Sequence, residues 1–319
     1  MTALNAIHRT NAASAVDAIA ADVRTGLGAS PKYLPCHLLY DAAGSELFEA
    51  ITQLPEYYLT RTEQAILEAH AGEIAAAAGG ARTVAELGAG TATKTRTILD
   101  AVQPAIYVPI DVSASALEVA AAQLARPGLE VRPLVGRYQE LLPELAALPA
   151  PRLLLFIGSS IGNYEPPAAV ALLAAARRCL APGDAFLLGA DLRKSEDVLI
   201  PAYDDAAGVT ARFTRNVLAR LNRELGARFD LDGFRHLAIW NPERSRMEIY
   251  LESLRDQRVE IPALAMVVPF ARGERIHTEN SYKLPLDGQL RLLRDAGFAP
   301  AALWRDPREY YAVHLARVP

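Results

Sequence analysis

The sequence predicts an α/β fold, a doubly wound sheet of mainly parallel strands carrying an inserted α+β segment. Three observations carry that reading. Between Arg82 and Asp191, short apolar runs alternate with alanine- and leucine-rich stretches of helical length. A glycine turn, Glu86-Leu-Gly-Ala-Gly90, follows the first of those runs. Beyond residue 203 the alternation gives way to consecutive strand-like runs, and it returns only near the C-terminus.

The alternating region supplies five strands: Thr83–Leu87, Ile106–Ile110, Glu130–Val135, Arg152–Ile157 and Ala185–Ala190. Helical stretches at 94–103, 113–125, 137–147 and 165–180 separate them. Continuous apolar strands with helices between them belong to a parallel sheet covered on both faces. The turn Ala181-Pro-Gly-Asp184 precedes the fifth strand. Residues 203–225 then predict one long amphipathic helix. The runs His236–Trp240, Arg246–Leu254, Arg258–Ile261, Met266–Phe270 and Arg275–His277 follow with short turns, which predicts an antiparallel sheet. Helix 286–296 and strands Ala301–Arg305 and Tyr310–Ala316 restore the α/β style. A closing antiparallel pair on a parallel sheet distinguishes the Rossmann-like class I methyltransferase fold from the all-parallel dinucleotide fold.

The glycine turn carries the first chemistry. Gly88 and Gly90 let a ligand approach the main chain with no Cβ in the way. Asp111 ends the second strand, 21 residues beyond Gly90, where an acid suits a ribose diol. Thr93 stands where a dinucleotide turn needs a third glycine. A ligand with a ribose and no phosphate fits that loss, and S-adenosylmethionine is the commonest one. Lys94 opens the helix that follows.

Composition bounds the rest. A chain of 319 residues, 51% of them hydrophobic, is long enough for two domains. A net charge of -4 without a basic stripe argues against a nucleic-acid partner. Cys36 and Cys179 have no spacing for zinc or a redox pair and read as isolated thiols in a reducing compartment. No apolar run approaches the roughly 20 residues of a membrane span, and the N-terminus has no signal-peptide core. A cytoplasmic monomer with neither metal nor membrane partner is expected.

The remaining loops carry tyrosines and amides in a specific order. They are Tyr40-Asp-Ala-Ala-Gly-Ser-Glu-Leu-Phe48, Leu54-Pro-Glu-Tyr-Tyr-Leu-Thr-Arg-Thr-Glu63, Phe156-Ile-Gly-Ser-Ser-Ile-Gly-Asn163, Ala202-Tyr-Asp-Asp-Ala-Ala-Gly-Val209 and Arg275-Ile-His-Thr-Glu-Asn-Ser-Tyr-Lys283. In this order and spacing they resemble the histidine Nα-methyltransferases of ergothioneine biosynthesis, from about Tyr33 to the last strand. The resemblance implies that Gly88, Gly90, Lys94 and Asp111 bind S-adenosylmethionine. It implies that Tyr57 lies beside the substrate imidazole and that Asn163 and Tyr203 hold the α-carboxylate. Asn163 also reaches the amine, with Gly158 offering backbone beside it and Tyr40 nearby. Glu279 and Ser281 correspond to the pair that hydrogen-bonds the imidazole. The family's adenine position, an acid followed by an aromatic, reads Gly136-Arg137-Tyr138 here. Tyr138 can lie near the base, whereas Arg137 cannot accept a hydrogen bond from the adenine amine. The implied domains are residues 1–59 with 194–283 for L-histidine and its mono- and dimethyl intermediates, and 60–193 with 284–319 for the cofactor. The implied product is hercynine.

The chemistry is consistent with that resemblance on its own terms. Methyl transfer from a sulfonium to an amine is an in-line displacement that depends mostly on positioning. It needs no Ser/His/Asp or metal constellation. A neutral imidazole offers one donor and one acceptor, which a carboxylate and a hydroxyl match. Each residue also has an ordinary reading. Tyr57 and Tyr58 suit the packing of a helix start, Asn163 suits a turn, and Asp204 and Asp205 suit a helix N-terminus. The rivals are N-methylation of another α-amino acid such as tryptophan, a nicotinamide-dependent oxidoreductase, and a binding protein without activity.

Overall fold

The computed structural model describes residues 12–319, beginning with helix α1 (Ala12–Gly28). The stretch before residue 12, part of the predicted segment 1–59, lies outside the described residues. Strand β1 (Lys32–Tyr33) leads through a 3-10 turn at Cys36–Leu39 into helices α2 (Ala42–Thr52) and α3 (Tyr58–Ala78). Asp41 starts α2 by accepting from the Gly44 amide at 2.8 Å. The alternating region follows as β2 (Thr83–Leu87), α4 (Thr95–Val102), β3 (Ile106–Asp111), α5 (Ala114–Leu124), β4 (Glu130–Val131), β5 (Leu134–Val135), α6 (Tyr138–Leu141), β6 (Arg152–Phe156), α7 (Pro166–Arg178) and β7 (Ala185–Asp191). Next come α8 (Glu196–Tyr203), α9 (Val209–Leu225), β8 (Phe234–Asn241), β9 (Arg246–Ser253), β10 (Gln257–Ile261), β11 (Met266–Phe270) and β12 (Arg275–Tyr282). Helix α10 (Leu286–Asp295) and strands β13 (Ala299–Arg305) and β14 (Tyr311–Arg317) close the chain. The described chain divides into two compact units, residues 59–194 with 282–319 and residues 12–58 with 195–281.

The first unit is built on an eight-stranded sheet in the order β13-β14-β7-β6-β2-β3-β4, with β5 also on β3. Strands β2, β3, β6 and β7 pair in parallel. Strand β14 runs antiparallel to β7, and β13 antiparallel to β14. The sequence of strands reverses direction between β2 and β6. In open α/β sheets a ligand sits at that switch, outside the carboxyl ends of the strands. The buried strands read as apolar runs because helices cover both faces. Leu87, Ile110, Phe156, Leu173 and Leu293 fill the core, and Phe186 stacks on Phe298 at 4.8 Å.

The second unit contains a four-stranded sheet, β1-β12-β9-β8. Met247, Ile249 and Leu251 alternate along β9 and are fully buried. Helix α9 presents Val209, Phe213, Val217, Leu221 and Leu225 along one buried face and packs on β8 and α2.

The structure departs from the sequence expectation in five places. The single helix at 203–225 is two helices, and Tyr203 ends the first. Asp205 breaks it, because its carboxylate caps α9, accepting from the Val209 and Thr210 amides at 2.9 and 2.7 Å. Gly208 supplies the left-handed residue before α9, with φ +67°. The strand 130–135 is split where Pro133 has no amide to donate. The helix 137–147 is one α turn followed by a 3-10 segment, Leu142–Ala147. The expected antiparallel sheet separates, since β10 and β11 form a hairpin of their own. Pro269 in β11 suits an edge and not a strand with two neighbours. Strand β12 is also longer than read, and β1 joins it in parallel.

The Asp205 cap generates a prediction. Burial alone raises this carboxyl, but hydrogen bonds from Thr210 and Val209 outweigh it and hold the group below the usual range. A depressed carboxyl stabilises the fold above its unfolded pKa, and that contribution disappears as pH falls through the folded value. Asp205→Ala should cost about 1–2 kcal/mol near neutral pH in urea denaturation. The penalty should shrink as the solution is acidified through the carboxylate range.

Candidate functional site

In the first unit the cofactor candidates gather at the carboxyl ends of β2, β3 and β6. Gly88 and Gly90 hold φ of +74° and +52°, which only glycine adopts without strain. The Gly88 amide donates to the Ile110 carbonyl at 2.8 Å, bending the turn over the end of β3. The Gly90 amide donates to Asp111 Oδ2 at 2.9 Å, and the Ser113 amide to Oδ1 at 2.9 Å. Burial pushes the Asp111 carboxyl upward, against the amides of Ser113, Gly90 and Val112. A carboxylate has about four lone-pair sites, so these contacts leave capacity for a diol.

Gly136 donates to the Asp111 carbonyl at 2.9 Å, at φ +154°. That sets Arg137, half-buried, at the start of α6. The Tyr138 hydroxyl lies 2.5 Å from that of Tyr164, which also accepts from Gln139 at 2.7 Å. The Tyr138 ring meets Phe156 edge-on at 5.6 Å. A Cβ built on Gly88 would stand 3.9 Å from Ser160 Oγ and 4.0 Å from Tyr138, so the turn leaves an uncrowded cradle beside that ring. An acid at a strand end, a bare glycine turn and a neighbouring aromatic fit a nucleoside without phosphates.

Lys94 immediately precedes α4, and its ammonium is paired with the carboxylate of Glu63. Glu63 is fully buried on α3. Both its oxygens accept from the Gly158 amide at 2.9 Å, and Oε1 also accepts from the Tyr311 hydroxyl at 2.7 Å. The Gly158 amide is therefore engaged, and what Gly158 can offer an amine is its carbonyl. Asn163 ends the 3-10 turn Ser160–Asn163 and is half-buried. That turn starts from Ser159 at φ +60°, whose hydroxyl accepts from the Asp191 amide at 3.0 Å. Asp191 in turn pairs with Lys194 at 2.6 Å and Lys283 at 2.8 Å.

In the second unit Tyr40, Tyr57, Tyr203 and Ser281 come together. Tyr40 packs edge-on against Phe48 at 5.5 Å and Phe213 at 5.4 Å. Tyr57 meets Phe48 at 6.1 Å and Tyr203 at 6.3 Å. The buried hydroxyls of Tyr203 and Ser281 are 2.8 Å apart. His236 Nε2 donates to the Tyr203 carbonyl at 2.8 Å and fixes the end of α8. Burial lowers the His236 pKa, so this ring is neutral at physiological pH. Glu279 and Ser281 are two residues apart on β12 and share one face of the strand. Glu279 is half-buried there.

Two acids were passed over in the sequence. Glu86 is buried on β2, where the Thr95 hydroxyl donates to Oε2 at 2.7 Å and the Tyr107 hydroxyl donates to the same oxygen. It joins β2, β3 and the first turn of α4 under the glycine turn. Glu63 lies on the buried stripe of α3 with Thr62, Ile66 and Leu67. An acid at an apolar helical position was the available signal. Among the described residues no group of three or more histidines, cysteines or acids is set to hold a metal. No described helix is long and apolar enough to cross a membrane.

Burial pushes Glu86 up to about 7, against hydrogen bonds from Tyr107 and Thr95. A carboxyl raised in the folded state favours the fold at low pH, and this contribution is lost as pH rises through the folded value. Stability should therefore decline between about pH 4.5 and 7 by up to roughly 3 kcal/mol. Glu86→Gln should flatten that slope in urea titrations at the two ends. A slope unchanged in the variant would assign it to another group.

Comparison with known proteins follows the same lines as the geometry. A family model described as histidine-specific methyltransferase, SAM-dependent, matches residues 19–318. A histidine N-alpha-methyltransferase of Mycolicibacterium smegmatis is 46% identical over 309 residues, 95% of this chain and 96% of that protein. Its counterpart in Mycobacterium tuberculosis is 43% identical, covering 94% of each chain. Ergothioneine biosynthesis protein 1 of Neurospora crassa is 31% identical over 89% of this chain and 33% of its own length. The chain belongs to the family of histidine-specific, S-adenosylmethionine-dependent methyltransferases.

Proposed function

We propose that this chain transfers methyl groups from S-adenosylmethionine to the α-nitrogen of L-histidine, three in succession, to give hercynine for ergothioneine biosynthesis. The observation that carries the substrate is the Tyr203–Ser281 hydroxyl pair at 2.8 Å, with Glu279 on the same strand face as Ser281. Glu279 accepts from the imidazole N–H, and Ser281 donates to the other ring nitrogen. Tyr57 lies along the ring, while Tyr203 and Asn163 take the α-carboxylate. Gly88, Gly90, Lys94 and Asp111 hold the cofactor, with Tyr138 and Arg137 toward its adenine.

When bound, S-adenosylmethionine supplies an electrophilic methyl carbon, whose bond to sulfur breaks as the new bond to nitrogen forms, the electron pair staying on sulfur. The residues of the chain do the positioning. The amine attacks only when neutral, so the Asn163 side-chain oxygen and the Gly158 carbonyl accept from its two N–H groups and aim its lone pair, with the Tyr40 hydroxyl nearby. Each of the first two transfers leaves a cation that loses a proton before the next. The third leaves a quaternary nitrogen with no proton to lose. The unit of residues 59–194 and 282–319 is assigned to the cofactor, and that of 12–58 and 195–281 to the amino acid. We infer a cytoplasmic monomer acting on histidine and its mono- and dimethyl forms, the compartment supported by the two free thiols, Cys36 and Cys179.

Two outcomes test this reading. Asp111→Ala should weaken S-adenosylhomocysteine binding by more than about tenfold in a calorimetric titration, with the fold intact by circular dichroism. Unchanged affinity would remove Asp111 from the ribose. Incubation with an amino-acid panel, read by mass, should show histidine preferred over phenylalanine and leucine by at least about a thousandfold in kcat/KM. Glu279→Leu should cut histidine turnover sharply and narrow its lead over tryptophan. Faster methylation of tryptophan by the wild type would overturn the substrate and leave the reaction standing.

A further inference from the structure

The carboxylate of Glu63 is fully buried, yet it comes from a helix that precedes the first strand of the sheet. It reaches the carboxyl edge through a space that the sheet leaves open. A Cβ on Gly189 of β7 would stand 1.9 Å from Glu63 Oε1, so any larger residue there would displace the carboxylate. Its donors come from three separate segments: the Gly158 amide after β6, the Lys94 ammonium before α4, and the Tyr311 hydroxyl on β14. Lys94 Nζ also stands 3.4 Å from the point where a Cβ on Gly158 would lie. The cation and the glycine loop are thus neighbours, held by one anion.

We infer that Glu63 is a positioning residue for methyl transfer, fixing the Gly158 loop and the Lys94 ammonium together and cancelling the charge of that ammonium. The inference rests on the reading of Lys94 and Gly158 given above. Position is the first half of it. The Gly158 carbonyl can meet the amine only if its peptide is held in one orientation, and an error of about 1 Å at a reacting atom can cost about 100-fold. Charge is the second half. Lys94 is only partly exposed, at 19% of its side chain, so its field is weakly screened. The cofactor carries a sulfonium cation before transfer and a neutral thioether after it. An unbalanced Lys94 would therefore oppose S-adenosylmethionine more than S-adenosylhomocysteine.

That difference separates positioning from mere structure. Glu63→Gln should weaken S-adenosylmethionine about tenfold more than S-adenosylhomocysteine in paired titrations, a ratio of Kd values that a general loosening would not move. Its kcat for histidine should fall at least about tenfold. In Glu63→Gln combined with Lys94→Met, both charges are gone and the ratio should return to the wild-type value. Glu63→Asp keeps the charge and loses one methylene of reach, so the ratio should hold while kcat falls. Equal losses for both ligands, or no loss with kcat unchanged, overturn the inference. Where Glu63→Gln does not fold, Glu63→Asp decides it, and a kcat within about twofold of wild type overturns it. Lys94→Met alone with unaltered cofactor affinity would instead overturn the reading of Lys94.

Discussion

Carboxylates withdrawn from water fasten the carboxyl edge of the main sheet. Glu86 is buried near the end of β2, Glu63 is buried where it reaches the loop after β6, and Asp191 is buried at the end of β7, while Asp111 is half-buried at the end of β3. A buried carboxylate is tolerable only with hydrogen-bond donors or cations around it. Each of the four obtains these from a different set of groups. Glu86 has two hydroxyls, Asp111 has amides, Glu63 has an amide, a hydroxyl and an ammonium, and Asp191 has two lysines. Loops at that edge would otherwise be its most mobile part. Here each is tied to the sheet through an anion, so the glycine turn and the 3-10 turn at Ser160–Asn163 are held in place before any ligand arrives.

The second unit solves a different problem, with aromatic rings in place of charges. Phe48, Phe213, Tyr40, Tyr57 and Tyr203 meet edge to face, and Tyr203 points its hydroxyl at Ser281. Edge-to-face rings are stiff and leave their hydroxyls directed.

Much of the first unit was legible in the sequence, and the reason is periodicity. Thr83–Leu87 is buried throughout because it is covered on both faces, and the structure begins and ends it where the sequence reading does. The antiparallel pair β13 and β14 was legible from the last helix and its glycine. What escaped the sequence was punctuation by polar residues. Asp204 and Asp205 look like the start of a helix at Tyr203, whereas Asp205 belongs to the next helix and Tyr203 closes the one before it. The polar run Thr278, Glu279 and Asn280 looks like the end of a strand at His277, yet it continues β12 to Tyr282. At the site, the glycines and Asp111 announce themselves by local spacing. Glu63 does not, since its partners lie 31, 95 and 248 residues away in the chain.

The two lysines on Asp191 have a topological meaning. Lys194 is the last residue of the first unit before the chain leaves it, and Lys283 is the second residue after it returns. Both are buried against one carboxylate, so the exit and the re-entry are anchored to a common point inside the first unit. Everything between them is an excursion with both ends pinned. Residues can be added to or removed from its loops without altering the spacing of those ends or the register of β7 and β14. A scaffold of that kind lets the inserted segment diverge while the main sheet stays as it is.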